Sequence, residues 1–365
     1  MNVALVYGIR VAPTSGKAKG SYEKIAAFND NANCRVFTIE QRVTNSILCS
    51  IFAEISFAVA VLKGYRPNVI YARSFFCLCV LAVAKCINAK IIFDIHADLS
   101  DESRILYRPY SISALASRIL NILMLFVYYR ADGLVFNTIE LADYYQKERG
   151  FEKKPVFVSN NGCDSKKDPA PTEDVWLPLD GHKISFVFVG SISPWHGVEK
   201  LVYFISELQR LQNDFSLTLT IVGPKRRSLN DLVNRLSLQN VINFAGEVTS
   251  EISDQIILDH DYCVVTSGFE RVSPGSPLKL YDYVRCGRPV LAQAGFSCYG
   301  DLVESLDIGY ALNFESPPKA AAQFLSNIQF HKFSSIGLKH IARSNFDWSI
   351  RVTALLKFFD TISRS

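Results

Sequence analysis

Short apolar runs rich in β-branched and aromatic residues alternate with helix-like runs along most of this chain. In its first part, the pattern predicts strands at 2–8, 34–39, 68–73, 90–96, 133–137 and 155–160. Strands separated by helical stretches are typical of parallel sheets with crossover helices. The alternation therefore restricts the fold class to α/β.

The alternation is interrupted once and then begins again. Residues 163–182 are polar and hold three prolines, which indicates a linker. Beyond it, the pattern predicts strands at 184–190, 217–223, 241–246, 262–267 and 289–293, with helices at 197–212, 227–238 and 277–285. A chain of 365 residues is longer than a domain with a single hydrophobic core usually is. We therefore predict two doubly wound, Rossmann-like domains facing each other across a cleft. Their predicted bounds are 1–165 and 184–345, with a linker at 166–183 and a last helix within 346–365 that can cross back to the first domain.

Composition narrows the class of protein further. Hydrophobic residues make up 49 % of the chain and charged residues 20 %, which indicates a folded, core-rich protein. The nine cysteines form no CxxC pair, and we interpret them as reduced, mostly buried thiols of a cytoplasmic protein. No signal peptide is expected at the N-terminus. Neither a Ser-His-Asp order nor a GxGxxG signature supports a hydrolase or a dehydrogenase.

The first half of the chain is basic and holds two long apolar runs. Residues 1–170 carry 21 Lys and Arg against 15 Asp and Glu. Arg118 interrupts the apolar run at 111–129, and Glu54 interrupts the run at 47–65. These charges favour buried or surface-lying amphipathic helices over membrane spans. We expect peripheral contact with the inner face of the cell membrane, and no nucleic-acid partner.

The stretch "SPLKLYDYVRCG" predicts a helix that opens onto a ligand. Ser276 is a good N-cap, Pro277 a good first residue, and Gly287 a left-handed stop. The backbone N–H groups of Leu278 and Lys279 are then free to bind an anion such as phosphate, with the Lys279 side chain near the same opening.

Asp282 lies about one turn further along this helix. Helical side chains lean toward the N-terminus, so its carboxylate can reach a group beside the phosphate. A ribose diol can donate two hydrogen bonds to it, and diphosphate with ribose indicates a nucleotide. The alternative is that Asp282 is a first-turn acid favoured by the helix dipole and Lys279 a solvated charge.

These motifs resemble those of the retaining GT-B glycosyltransferases of glycosyltransferase family 4. "SPLKLYDYVRCGRPVLA" resembles the donor-site helix of that family. The resemblance extends to "VFVGSISPWHGVEKLVYFISEL" (187–208), "LTIVGPKRR", "VINFAGEV", "SNNGCD" (159–164), "IYARS" (70–74), "IIFDIHADLSDES" (91–103) and "RADGLVFNTIELADYY" (130–145). Their order covers nearly the whole chain.

The resemblance implies transfer of a sugar from a UDP- or GDP-linked donor with retention of anomeric configuration. It implies that the nucleotide-sugar binds the C-terminal domain and the acceptor, a glycan or a polyprenyl-linked glycan, binds the N-terminal domain. No metal and no cofactor are required, because helix amides and cations can neutralise the leaving diphosphate. The expected process is the synthesis of a surface polysaccharide such as capsule or lipopolysaccharide.

For the donor, the resemblance aligns Asp282 with the family's ribose-binding glutamate. The family's partner acid falls at Pro274, and Glu270 is the nearest acid that can reach the donor sugar, or else a solvated loop charge. Ser191 and His196 occupy the places of the family's two diphosphate-binding cations. When protonated, His196 can donate to the phosphate.

Two further loops are candidates for the donor site. Lys225 and Arg226 can supply the missing positive charge, although an exposed basic loop explains them equally well. Gly246, Glu247 and Val248 end a strand where the family binds its base through backbone groups.

For the acceptor, candidate residues follow strands of the first domain. His96 ends a strand at the family's histidine position and is the catalytic candidate there, unless it is structural. Arg73 can hold an acceptor anion or form an internal salt bridge, and Asp98 follows His96 as a second acceptor-binding candidate. Gly16 and Gly20 can let the first loop approach the donor, or mark a flexible loop.

Three residues are thus the candidates for catalysis, namely Lys279, His96 and Glu270. Two other functions stay open: a catalytically inactive GT-B scaffold in a polysaccharide assembly complex, which the changes at Ser191 and His196 suggest, and a sugar-nucleotide epimerase of the same two-domain shape.

Overall fold

The chain forms two compact units in its computed structural model. The first comprises Met1–Gly162, Arg271–Ser276 and Trp348–Ser365, and the second comprises Cys163–Glu270 and Pro277–Asp347. Within them the structure describes residues 1–8, 16–31, 33–38, 46–73, 78–108, 110–167, 174–177, 183–211, 216–268, 275–295, 298–328 and 332–364. The α/β class and the two parallel sheets predicted from the sequence are confirmed.

A parallel six-stranded sheet forms the centre of the first unit, in the order β2-β1-β3-β4-β5-β6. Its strands are β1 (Asn2–Tyr7), β2 (Asn33–Phe37), β3 (Val69–Arg73), β4 (Lys90–Ile95), β5 (Gly133–Phe136) and β6 (Val156–Val158). The strand order reverses beside β1, and ligands of such sheets bind at the carboxyl ends of strands near that reversal. All six strands were predicted, with ends that differ by no more than two residues.

Six helices cross over between these strands. They are α1 (Gly16–Asn31), α2 (Ser46–Leu62), α3 (Leu78–Cys86), α4 (Leu99–Leu106), α5 (Ile112–Arg130) and α6 (Ile139–Glu148). The prediction of a loop around Gly16 and Gly20 is wrong, because Gly16 begins α1 and Gly20 is buried inside it. The buried residues Ile25 and Phe28 anchor this helix, and a glycine costs it only about 1 kcal/mol.

The helix at Trp348–Arg364 belongs to the first unit, although it ends the sequence. Its Trp348 Nε1 donates a hydrogen bond to Glu23 Oε2 at 3.2 Å. Its Phe359 ring stacks on Phe28, with centroids 6.0 Å apart, and contacts Tyr71 with centroids 5.0 Å apart. The sequence alone predicted the helix but not the unit on which it packs.

The second unit contains a parallel six-stranded sheet in the order β10-β9-β8-β11-β12-β13 and a two-stranded antiparallel sheet of β7 and β14. The strands are β7 (Trp176–Leu177), β8 (Lys183–Val189), β9 (Ser216–Val222), β10 (Ile242–Gly246), β11 (Tyr262–Val265), β12 (Val290–Gln293), β13 (Gly309–Leu312) and β14 (Phe333–Ser334). Strand β7 lies inside the predicted linker, where two residues are too few to show a strand pattern.

Seven helices surround these strands. They are α7 (Val198–Leu211), α8 (Arg227–Arg235), α9 (Ser250–Leu258), α10 (Leu278–Arg285), α11 (Cys298–Ser305), α12 (Pro317–Ile328) and α13 (Ser335–Ile341). The central strand β11 is buried along its whole length, as are five of the seven residues of β8. Burial on both faces is why these strands are almost continuously hydrophobic in the sequence.

Helix α5 exposes much of its apolar surface. It is the one helix among the described residues that is long and apolar enough to cross a membrane. Only 28 % of its most apolar 18-residue stretch is buried in the protein. Both α5 and α2 pack against α3. We define the apolar helix surface by the exposed apolar residues of α2 and α5, which include Leu48, Phe52, Ile55, Leu62, Ile112, Leu115, Ile119, Ile122, Phe126 and Tyr129.

Candidate functional site

Three glycines end neighbouring strands at one edge of the second sheet. Gly190, Gly223 and Gly246 follow or end β8, β9 and β10, and all three have positive φ. The Gly223 N–H donates to the Gly246 carbonyl at 2.9 Å. A Cβ on Gly223 would lie 2.1 Å from the Gly190 carbonyl oxygen. Only glycine fits this close approach of backbones, at the edge where ligands of parallel sheets bind. The sequence analysis had selected only Gly246.

Helix α10 begins at Leu278, close to its predicted start, but with a different cap. Pro277 is the N-cap residue, and no side chain caps the helix. The predicted capping by Ser276 is wrong because its hydroxyl accepts a hydrogen bond from the Asn161 N–H at 2.9 Å. Neither Pro277 nor Ser276 therefore offers a side-chain acceptor to the first backbone N–H groups of the helix.

Lys279 turns inward rather than toward solvent. Its ammonium lies 3.7 Å from the centre of the Phe188 ring, and a Cβ on Gly190 would lie 3.0 Å from its Nζ atom. Nζ is buried and has no hydrogen-bond partner among the described residues. Burial lowers the pKa of Lys279 to about 7. An unpaired ammonium with this pKa is placed to receive an anion at the end of β8.

His196 packs on the same aromatic ring as Lys279. Its imidazole makes an edge contact with Phe188, with centroids 6.3 Å apart. It ends a short 3₁₀ turn, and the following Gly197 is left-handed. Ser191, which precedes this turn, is exposed. Two of the predicted donor residues, Lys279 and His196, are thus brought together through Phe188, which the sequence analysis did not select.

Asp282 lies near the guanidinium of Arg285. Arg285 Nη2 donates to Asp254 Oδ1 at 2.7 Å, and its Nε lies 3.4 Å from Asp282 Oδ1. The side chain of Arg285 is 3 % exposed, whereas that of Asp282 is 20 % exposed. Arg285 also donates from Nη1 to the Lys167 carbonyl at 2.6 Å, so Asp254 and Lys167 anchor it, and it contacts one side of the more exposed Asp282 carboxylate.

A polar pocket of about 440 Å³ opens in the second unit. Its lining comprises Pro194, Gly197, Glu199, Lys200, Arg226, Gly268 and Glu315. Lys200 Nζ donates to the Ser267 carbonyl at 2.9 Å and to the Glu315 carboxylate. The volume is typical of small-ligand sites. Arg226 is the one predicted donor residue that lines it, and neither Lys279 nor Asp282 does.

The other donor candidates are spread along the same sheet edge. Lys225 and Glu247 are exposed, and Val248 packs on the hydrophobic core. Glu270 and Pro274 lie outside the described residues. Among the donor candidates, the described contacts are therefore most informative around Lys279 and Phe188.

A buried charged network lies at the carboxyl ends of β3 and β4 in the first unit. Lys24 Nζ donates to Asp94 Oδ2 at 2.9 Å and to the Tyr71 hydroxyl at 2.7 Å. His96 Nε2 lies 3.1 Å from Asp94 Oδ1. Although burial opposes ionisation, Lys24, His96 and Arg73 hold the pKa of Asp94 well below its usual range. Of this network, only His96 and Arg73 had been selected from the sequence.

Asp98 has a structural role. Its buried carboxylate caps α4 by accepting from the backbone N–H groups of Ser100 and Asp101, and Arg149 Nη2 contacts both of its oxygens at 3.1 and 3.0 Å. Because these bonds engage both oxygens, we leave Asp98 out of the acceptor site, contrary to its prediction as an acceptor-binding residue.

The described residues contain no group of three or more His, Cys, Asp or Glu side chains placed to hold a metal ion. The expectation that catalysis needs no metal stays a prediction.

Two family models match this chain. Residues 10–167 match "Glycosyltransferase Family 4", and residues 183–328 match "Glycosyl transferases group 1". Together they cover most of both units. The chain therefore carries one domain of each of these two glycosyltransferase families.

Individual relatives of this glycosyltransferase are distant. It is 24 % identical over 232 residues to the probable glycosyltransferase WbjE of Pseudomonas aeruginosa, a match that covers 61 % of this chain and 56 % of that protein. The crystal structure of HepE from Anabaena in complex with UDP aligns over 99 % of this chain and all of that chain, with a TM-score of 0.70 and 16 % identity. Sucrose-phosphate synthase from Thermosynechococcus elongatus aligns over 99 % and 98 % of the two chains, with a TM-score of 0.68 and 14 % identity. These structures confirm the predicted GT-B fold.

Proposed function

We propose that this glycosyltransferase transfers a sugar from a UDP- or GDP-linked donor to a glycan or polyprenyl-linked acceptor, with retention of anomeric configuration and without a metal. The proposed process is the synthesis of a surface polysaccharide at the inner face of the cell membrane. The two family matches support sugar transfer. The structure of HepE in complex with UDP supports a uridine nucleotide as the first donor to test.

The observation that carries this proposal is the unpaired, buried ammonium of Lys279 beside the glycine-rich strand ends. A nucleoside diphosphate leaves with negative charge that grows in the transition state. A positive group fixed in a site of low dielectric constant stabilises that charge more strongly than a solvated lysine can. Lys279 and the backbone N–H groups at the start of α10 are the proposed source of this stabilisation.

Asp282 is the proposed ribose-binding residue. Its carboxylate is partly exposed, one turn beyond the start of α10, and its Oδ1 atom lies 3.4 Å from Arg285 Nε. A carboxylate held in this way can accept hydrogen bonds from a vicinal diol.

Membrane contact is proposed through the apolar helix surface of α2 and α5. Ile112 and Leu62 are 89 % and 86 % exposed, an unusual state for large apolar side chains that recur along two helices packed against α3. The exposed Arg118 and Arg130 lie on α5 itself. Apolar insertion combined with basic charge is the pattern of helices that lie in an anionic membrane surface.

The proposal is tested by calorimetric titration of the protein with UDP, GDP and UDP-glucose. We expect micromolar binding of one nucleotide and its loss in Asp282→Ala. Asp231→Ala removes an exposed acid from α8 and serves as the matched control. Absence of binding to every nucleotide would contradict the proposed function and favour a scaffold.

A further inference from the structure

A buried ion pair in the first unit contacts one partly exposed imidazole. The side chains of Lys24 and Asp94 are 3 % and 2 % exposed, whereas that of His96 is 17 % exposed. Lys24 comes from α1, Asp94 from β4, and His96 from the position directly after β4. Burying an ion pair is costly unless further hydrogen bonds satisfy both partners. Here Tyr71 satisfies Lys24, and His96 satisfies Asp94.

The contact with Asp94 decides which nitrogen of His96 carries the proton. Lys24 holds Asp94 Oδ2, and Asp94 stays ionised, so its Oδ1 atom can only accept a hydrogen bond. Nε2 of His96 must therefore carry a hydrogen. In a neutral imidazole the other nitrogen, Nδ1, is then an acceptor. No described residue donates a hydrogen bond to Nδ1.

Burial and the nearby positive charges keep this imidazole neutral. Burial, followed by the positive charge of Arg73, lowers the pKa of His96 to about 4, although Asp94 opposes the shift. Lys24 adds to the lowering. The other titratable groups in the cluster are Tyr7 and Tyr71, and burial raises the pKa of both phenols well above its usual range, so they are neutral as well.

We propose that Lys24 and Asp94 are positioning residues, which hold His96 as the Nε2–H tautomer so that Nδ1 accepts a hydrogen bond from a hydroxyl group of the sugar substrate. The inference rests on the proposed function, because it takes the ligand to be a sugar. It assigns a role to two residues, one on α1 and one inside β4, that do not themselves touch the substrate. A neutral acceptor at this place orients a hydroxyl group without adding positive charge.

The tautomer is measured directly by long-range ¹H–¹⁵N correlation spectra of protein labelled at its six histidines. His96→Gln identifies the signal. We expect His96 to show only the Nε2–H form and to stay neutral down to about pH 5, where a histidine with the ordinary pKa of 6.5 is charged.

The decisive variant is Lys24→Met with Asp94→Leu, which replaces the buried pair by apolar side chains that a core commonly tolerates. We expect both tautomers of His96 in this double variant. Lys24→Arg keeps the charge and should retain the Nε2–H form, and Lys147→Met on the exposed face of α6 should change nothing. A double variant that still shows only Nε2–H, or a wild-type protein that shows Nδ1–H, would overturn the inference.

Turnover of the double variant distinguishes a positioning role of Lys24 and Asp94 from a role in stability alone. Release of UDP from UDP-glucose should fall about 10²-fold in the double variant, because a misplaced reacting group costs that much. UDP affinity should stay unchanged, since the nucleotide is assigned to the second unit. A protein that binds no nucleotide would refute the proposed function, whereas the tautomer measurement would still decide the roles of Lys24 and Asp94.

Discussion

The Lys279 ammonium lies 3.7 Å from the centre of the Phe188 ring, and no described residue accepts a hydrogen bond from it. An aromatic face attracts a cation but does not neutralise its charge as a carboxylate would. No described residue therefore neutralises the charge of Lys279, and on the proposed function the affinity for an anionic nucleotide should depend on its protonation.

Nucleotide affinity should weaken as pH rises through the pKa of Lys279, which burial lowers to about 7. An anion binds the protonated form, so UDP should bind more tightly at about pH 6 than at about pH 8.5, with uptake of a proton at the higher pH. Calorimetric titrations in buffers of different ionisation enthalpy measure that uptake. Lys279→Met should weaken binding by about 10- to 100-fold and abolish the pH dependence. Lys319→Met, at an exposed position of α12, is the matched control. An unchanged affinity in Lys279→Met would remove this residue from the site.

Asp98→Ala should destabilise the protein by about 3 kcal/mol, because it breaks a buried ion pair and a helix cap together. The Asp98 side chain is 1 % exposed, and Arg149 would lose its carboxylate partner and keep its hydrogen bond to the Ser100 hydroxyl. Urea unfolding followed by circular dichroism measures the change. Asp143→Ala breaks the exposed pair with Lys147 instead and should cost less than about 1 kcal/mol. Similar losses in the two variants would contradict the structural role of Asp98.

Gly223→Ala should destabilise the second unit by more than about 4 kcal/mol, because the new Cβ would meet the Gly190 carbonyl oxygen at 2.1 Å. Gly64 also has a positive φ, but no atom lies within 4 Å of the Cβ that Gly64→Ala would add. That variant should show only the strain of that backbone conformation, about 1–3 kcal/mol. Thermal unfolding of both variants distinguishes the steric clash at residue 223 from backbone strain alone. Equal losses of stability in the two variants would contradict the close approach of Gly223 to the Gly190 carbonyl.

Ile122→Glu should reduce binding to anionic phospholipid vesicles by about tenfold or more, because it replaces one exposed apolar side chain, proposed to insert into the membrane, by a charge. Ile122 is 66 % exposed, so the fold should tolerate the change. Ile252→Glu, at a 51 % exposed position of α9, adds the same charge elsewhere. Co-sedimentation with vesicles measures both, and equal binding of the two variants would exclude α5 from the membrane contact.

Much of the fold could be predicted because its signals are local. The buried strands β8 and β11 are short hydrophobic runs, and Gly287 after α10 marks a helix end, so each element could be identified from its own residues. The two-residue strand β7 carries too little pattern, and its pairing with β14 depends on a partner more than 150 residues away.

The candidate site was predicted less completely because its chemistry depends on distant contacts. His96 and Lys279 stood out through strand-end position and motif. Lys24 is 70 residues from Asp94, and nothing near it in sequence indicates that its charge is buried. Ser276 illustrates the opposite error: its position suits a helix cap, but a hydrogen bond to Asn161 decides its role.

The return of the chain to its first unit at Trp348 has a consequence for biosynthesis. Phe359 completes an aromatic cluster with Phe28 and Tyr71, and Trp348 donates a hydrogen bond to Glu23, so these contacts join residues that are 325 positions apart in the case of Trp348 and Glu23. We expect the second unit to become protease-resistant while the nascent chain is still attached to the ribosome. The first unit should acquire resistance only once its closing helix has also left the exit tunnel, and limited proteolysis of chains stalled at increasing lengths measures that order.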